Sequence, residues 1–305
     1  MNFATVTRAG VAVALSLATA GIAAQDGMKW ESLKTASFEI YAPEAADIER
    51  ARPELEYAAS QFQKYFGVEP PKIAVVLTND TRGAAPVVGD IAARGVPVLN
   101  WLTDSAWAAR HGGVATHSES QILPHEACHL FLVAYVNRKT TKDGAGAKAT
   151  THYGHPQIPD WFDEGVASLC ERPDMQERRR AGFARELDKR VPLDELFTMP
   201  HPLAAGIPVR FSAEDRPKMK PGTYVGAVTF TSGQVPQELI SRSLRYYLQV
   251  FSVIDYLSQR AEPNAMRIMA DRMAEGATTR EALKDVKGLP TLNALESDWL
   301  SSVTR

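Results

Sequence analysis

After residue 24 the sequence contains no long apolar run, no basic patch, no internal repeat and no low-complexity stretch. The first absence leaves no candidate membrane span there, since a span takes about 20 consecutive apolar residues. The second argues against nucleic acid or an anionic membrane surface as partner. The others exclude fibrous and repeat architectures. Cysteine is scarce as well: Cys128 and Cys170 are the only two, so at most one disulfide can form within the chain.

What is present is ordinary globular composition, 45% apolar and 23% charged over 305 residues, enough for one large core or two smaller ones. Residues 1–24 stand apart. Arg8 is the only charged side chain before Asp26, an apolar stretch runs from Val11 to Ala18, and small residues lead to Ala23 and Ala24. This is the pattern of a secretory signal peptide, which sets an expectation of a periplasmic or secreted protein. An uncleaved anchor is the alternative. Cleavage would remove one basic residue of 34 and none of the 36 acidic ones, leaving a net charge of −3 with histidines neutral. The charge-rich run Glu177–Arg190 mixes signs and reads as the solvated face of a helix.

Along the chain, Ala36–Tyr41 alternates as a half-buried strand does, and Lys72–Leu77 reads as a buried one. Between them Ile48, Ala51, Leu55, Ala58, Phe62 and Phe66 recur at helical spacing, with Pro53 expected to kink or split the helix and Gly67 to close it. Residues 79–97, rich in Gly and Pro, look like a loop, and Val96–Trp101 like an edge strand. A helix is expected over about 120–135, with Ser120 as N-cap and Pro124 in the first turn. A polar loop then covers 138–158, and a second helix runs over about 160–171. Beyond 240 the chain reads as mostly helical. Leu244, Tyr247, Phe251, Ile254 and Leu257 form one apolar stripe, and Met266, Ile268, Met269 and Met273 belong to another.

The chemistry centres on His125-Glu126-Ala127-Cys128-His129. On a helix, positions i and i+4 share a face, so both imidazoles can reach one metal ion. Glu126 lies about 100° round from His125, close enough to hold a water on that ion without ligating it. Zinc lowers the pKa of such a water to about 7, and a carboxylate can then act as general base. An aspartate would be a methylene short, and a charged lysine could neither bind the ion nor accept a proton. The flanks Ile122, Leu123, Leu130, Phe131, Leu132 and Val133 are apolar, which makes this a buried helix. The alternative is two core histidines satisfied by hydrogen bonds.

A catalytic zinc normally has three protein ligands. One known solution adds a histidine six residues after the second, with a glycine between; here those positions hold Tyr135 and Leu132. Another takes a glutamate from a second helix, and Ile158-Pro-Asp-Trp-Phe-Asp-Glu-Gly-Val-Ala-Ser168 follows downstream. The two motifs together, HExxH and P-x-W-x-x-E-G-x-A, resemble the gluzincin metallopeptidases, in particular the peptidase MA-like group of bacterial exported proteins. Pro192–Phe197 and the tyrosines Tyr247 and Tyr256 extend the likeness over about residues 30–300.

The resemblance implies that Glu164 is the third zinc ligand beside His125 and His129, with Glu126 as catalytic base. An acid favoured by the helix dipole is the other account of Glu164, a role open also to Asp160 and Asp163. The resemblance further implies an oxyanion donor, for which Tyr247 matches the family's position; Tyr224, His152 and His155 are further candidates, and Tyr247 could instead simply pack. Some relatives orient a histidine with an Asp one turn after the glutamate, but Ser168 stands there, which leaves the orienting group open. Cys128 and Cys170 flank the ligand positions, and a bridge between them, two buried thiols, or Cys128 on the metal are the alternatives.

The expectation is therefore an α+β, zincin-like protein. A catalytic unit over 25–200 would carry a small twisted sheet and the metal helix, followed by a helical lobe over 201–305 with a cleft between. Its function would be zinc-dependent hydrolysis of peptide bonds in a peptide or protein substrate. A non-catalytic zincin-fold binder of peptides or cell-wall fragments is the rival. Cleavage specificity and oligomeric state are not written in the sequence.

Overall fold

The structure, a computed structural model, describes residues 29–79, 83–110, 119–140, 155–202 and 237–304. Residues 1–24, where a signal peptide is expected, and the candidates His152 and Tyr224 lie outside them. Among the described residues no helix is long and apolar enough to cross a membrane.

The architecture is α+β. Strands β1 (Glu31–Lys34), β2 (Phe38–Ala42), β3 (Ile73–Thr78) and β4 (Val98–Leu102) form one mixed sheet in the order β1-β2-β3-β4. β1 runs antiparallel to β2, and β2, β3 and β4 are mutually parallel. β4 lies at the edge with Pro97 just ahead of it, where a missing N–H is tolerated.

The pleat sends Ile73, Val75 and Leu77 into the main core and Ala74 and Val76 into a smaller one on the other face. Helix α1 (Ala45–Phe66) covers the main face through Ile48, Ala51, Leu55, Ala58, Phe62 and Phe66, all buried. Pro53 does not split it. Its side chain is exposed, so water can serve the carbonyl that loses a partner, and the buried stripe holds both halves of the helix in line. Gly67 ends the helix at φ +66°, a left-handed conformation that favours glycine.

The expected loop over 79–97 is instead largely helix α2 (Ala85–Ala93). Pro86 falls in its first turn, where no N–H is needed, and Val87, Val88, Ile91 and Ala92 cover the second face of the sheet. A short helix α3 (Asp104–Arg110) follows β4.

Helix α4 (Glu119–Thr140) carries the histidine motif and packs on α1, β3 and β4. It begins before Ser120, so that residue is inside the helix and not its cap. Helix α5 (Asp160–Leu169) lies against α4, and α6 (Pro173–Arg185) and α7 (Leu193–Leu196) follow. The long helix α8 (Gln237–Arg260) packs on both α5 and α6. Helices α9 (Ala265–Ala274), α10 (Thr279–Lys284) and α11 (Leu292–Val303) complete the chain. Of the expected stripe on α8, Phe251, Ile254 and Leu257 are buried, whereas Leu244 is exposed. One buried cluster runs from Leu33 to Trp299 and joins the sheet, α4, α5 and α8.

Candidate metal centre

Helix α4 sets His125 and His129 one turn apart with their Nε2 atoms 3.1 Å from each other. From α5, Glu164 Oε2 comes within 3.3 Å of His125 Nε2 and 3.7 Å of His129 Nε2. A triangle with sides of 3.1, 3.3 and 3.7 Å has a circumradius of about 2.0 Å, so one point lies at metal–nitrogen and metal–oxygen bond length from all three atoms. All three residues are buried, and together they could hold a metal ion.

The local packing explains how α5 delivers its carboxylate. Trp161 is fully buried and donates from Nε1 to Thr279 Oγ1, anchoring the first turn. Gly165 faces α8, where an added Cβ would come within 3.0 Å of Ile254 Cβ. The glycine after Glu164 thus lets two helix backbones approach closely.

Each imidazole has a carboxylate behind it. Asp163 Oδ1 lies 2.8 Å from Nδ1 of His129. Glu171 Oε1 lies 2.8 Å from Nδ1 of His125, although it is off the line of a well-aligned hydrogen bond. With protons on the Nδ1 atoms, both Nε2 lone pairs are left for a cation. These carboxylates stand where groups that orient the two rings would stand, places that the sequence left open. Glu171 lies just beyond the C-terminal end of α5, where helical spacing does not reach it, whereas Asp163 immediately precedes Glu164 on the helix. The hydroxyl of Ser168 has no hydrogen-bond partner among the described residues.

The electrostatics favour a positive charge at this point. Glu164 is 0% exposed, and neither of its oxygens has a hydrogen-bond partner among the described residues. Burial works against its charge, yet the His129, His125 and His201 rings hold its pKa down at about 2. For His125 burial likewise opposes the charge, and Glu164 and Glu171 outweigh it, raising the pKa to about 10. His129 is also shifted upward, Asp163 and Glu164 overcoming burial. In the metal-free protein a proton therefore takes the place that a cation would fill.

Glu126 feels the charges of His129, His125, Glu164 and Asp163, and its pKa is raised, chiefly by burial. Its Oε2 is buried with no hydrogen-bond partner among the described residues. Such a carboxylate is more basic than an exposed one.

Tyr247 on α8 reaches the same cluster. Its hydroxyl lies 2.8 Å from His201 Nε2, and that nitrogen is 3.5 Å from Glu164 Oε1. Burial first, then the Glu164 and Glu126 charges, pushes the tyrosine pKa well above its usual value. His201 was not among the expected residues. It sits between two prolines with no telling spacing, and is held in place by its backbone N–H donating to Asp160 Oδ2 at 2.6 Å. Burial keeps it neutral, lowering its pKa against the pull of Glu164. His155 is buried beside this region, accepts the Gln157 N–H at Nδ1 and feels the Asp163 charge; it is not one of the three ligand candidates.

The run Glu177–Arg190 is not wholly solvated. Arg179 turns inward and grips both oxygens of Glu171 through Nε and an Nη. On α6 it is flanked one turn away by the buried Gly182 and Phe183, a face that mixed charges conceal. Finally, Cys128 and Cys170 are joined in a disulfide, which removes Cys128 from the list of possible metal ligands.

Comparison with known proteins yields no match, whether to a family model, a curated protein or a solved structure.

Proposed function

We propose that the chain is an exported zinc metallopeptidase of the gluzincin type. One observation carries the reading: two imidazole nitrogens and one orphaned carboxylate oxygen surround a single point at about 2 Å, a length suited to zinc. An all-nitrogen and oxygen set with a histidine pair also fits zinc better than calcium or magnesium, which prefer oxygen ligands.

Zinc bound there supplies Lewis acidity and a water of near-neutral pKa. His125, His129 and Glu164 would hold it, with Glu171 and Asp163 fixing the two rings. Glu126, its basicity raised by burial, would accept the proton of the attacking water and pass it to the leaving amine. Tyr247 and His201 would donate hydrogen bonds to the oxygen that gains charge. Because burial keeps the Tyr247 proton in place over the working pH range, this hydroxyl remains a donor.

The test has two stages. Purified protein should contain about one zinc per chain, lost in His129→Ala. Against a mixed peptide library the wild type should cleave and Glu126→Gln, still loaded with zinc, should be slower by about 10²–10⁴-fold. Absence of zinc from the wild type ends the proposal; zinc retained without any cleavage points instead to a binding protein.

A further inference from the structure

We infer that Arg179 is a positioning residue for the metal site, acting through Glu171 to set the ring of His125. The inference rests on the zinc-site reading above and names a residue outside the HExxH and glutamate helices.

The chain of contacts is continuous. Arg179 Nε and an Nη bond both oxygens of Glu171, a fork-to-fork pairing that fixes the plane of the carboxylate. The Arg179 side chain is only 16% exposed and that of Glu171 is 1% exposed, so neither charge is well served by water. Glu171 Oε1 then faces His125 Nδ1 at 2.8 Å. The backbone of residue 171 is separately tied down, its carbonyl accepting from the Tyr57 hydroxyl and from Gln176 Nε2. What remains free to turn is the carboxylate, and Arg179 removes that freedom.

A second consideration is charge. Asp163, Glu164 and Glu171 are buried together, the half-buried Glu126 feels the charges of the first two, and among the described residues Arg179 is the permanent cation paired with this group. Without it Glu171 would repel Glu164 across the ring of His125. The same guanidinium lies 5.7 Å from the centre of the Tyr247 ring, so it touches the support of a ligand and the proposed oxyanion donor at once. Lysine could supply the charge but not the fork, and so could not define the carboxylate plane.

The experiment compares zinc dissociation constants, by chelator competition, for wild type, Arg179→Lys, Glu171→Gln and the double variant Glu171→Gln/Arg179→Lys. Melting of the metal-free proteins checks that each is folded. Loss of an outer partner of a ligating histidine weakens metal binding by about 10–100-fold, and each single variant is expected in that range. The double variant should bind no more weakly than Glu171→Gln, because Arg179 has nothing left to act through. A purely structural role would instead multiply the two losses. Folded Arg179→Lys that binds zinc as tightly as wild type overturns the inference, and so do multiplied losses. If Arg179→Lys does not fold, Glu171→Gln/Arg179→Met removes both charges together. Affinity equal to that of Glu171→Gln then supports the relay, and a further tenfold loss overturns it. A wild type that binds no zinc removes the underlying metal-site reading as well, which separates the two failures.

Discussion

Asp163 Oδ1 lies 2.8 Å from His129 Nδ1, so the residue immediately before one ligand candidate supports another. Adjacent positions on a helix point about 100° apart. Here the two carboxylates of α5 approach the same imidazole from opposite sides, Asp163 at Nδ1 and Glu164 at Nε2. Replacing Asp163 by Asn keeps the shape and removes the charge. Zinc affinity is expected to fall by about 10–100-fold with the fold intact, measured by chelator competition and far-UV dichroism. Unchanged affinity would mean that His129 needs no carboxylate behind it.

Metal binding should depend steeply on pH. His125 of the metal-free protein holds its proton up to about pH 10, since Glu164 and Glu171 outweigh burial. Zinc must displace that proton, so affinity should drop by about tenfold for each pH unit lowered from 9 to 6. Calorimetry in buffers of different ionisation enthalpy should register at least one proton released per zinc. The metal-free fold carries the opposite trend. A folded-state pKa raised from 6.5 to about 10 stabilises fully below about pH 6.5, and the contribution is lost as pH rises to about 10. Thermal melts of metal-free protein over that window should show the decline, and those of the zinc form should not.

Gly165 predicts a packing effect with a functional consequence. An alanine there would place Cβ 3.0 Å from Ile254 Cβ, tighter than ordinary contact, and Ile254 is itself fully buried in the main core. Gly165→Ala is expected to cost about 1–3 kcal/mol and to weaken zinc binding, because α5 must shift with Glu164 on it. A melting temperature equal to that of the wild type would show that α5 and α8 separate freely.

The disulfide ties α4 to the residue next to Glu171. Cys128 precedes His129 and Cys170 precedes Glu171, the two cysteines standing 42 positions apart in the chain. Reduction, or Cys128→Ser together with Cys170→Ser, should lower stability by about 2–4 kcal/mol. Zinc should also be lost to a chelator faster, since the cross-link holds together the helices that share the ion. Stability that does not respond to reductant would argue that the bond is unimportant to the folded state.

By itself the sequence determined what one helix can determine. The 3.6-residue period places His125 and His129 on one side and Glu126 off to the flank, and the apolar neighbours of the motif require that helix to be buried. It also marked α1, β2, β3 and the edge position of β4 through their patterning. It did not reveal α2, because Gly and Pro suggest a loop until the first-turn position of Pro86 and the buried face of Val87, Val88 and Ile91 are known.

Tertiary structure decided everything that joins distant positions. Glu164 stands among other acids in the sequence, and only the packing of α5 on α4 and of Gly165 on α8 brings its oxygen to the imidazoles. Glu171, Arg179, His201 and the Tyr247 hydroxyl meet across separations that no periodicity encodes. Periodicity is a property of a single element. Convergence on one point within about 2 Å depends on how several elements pack, and packing is set by the whole core at once.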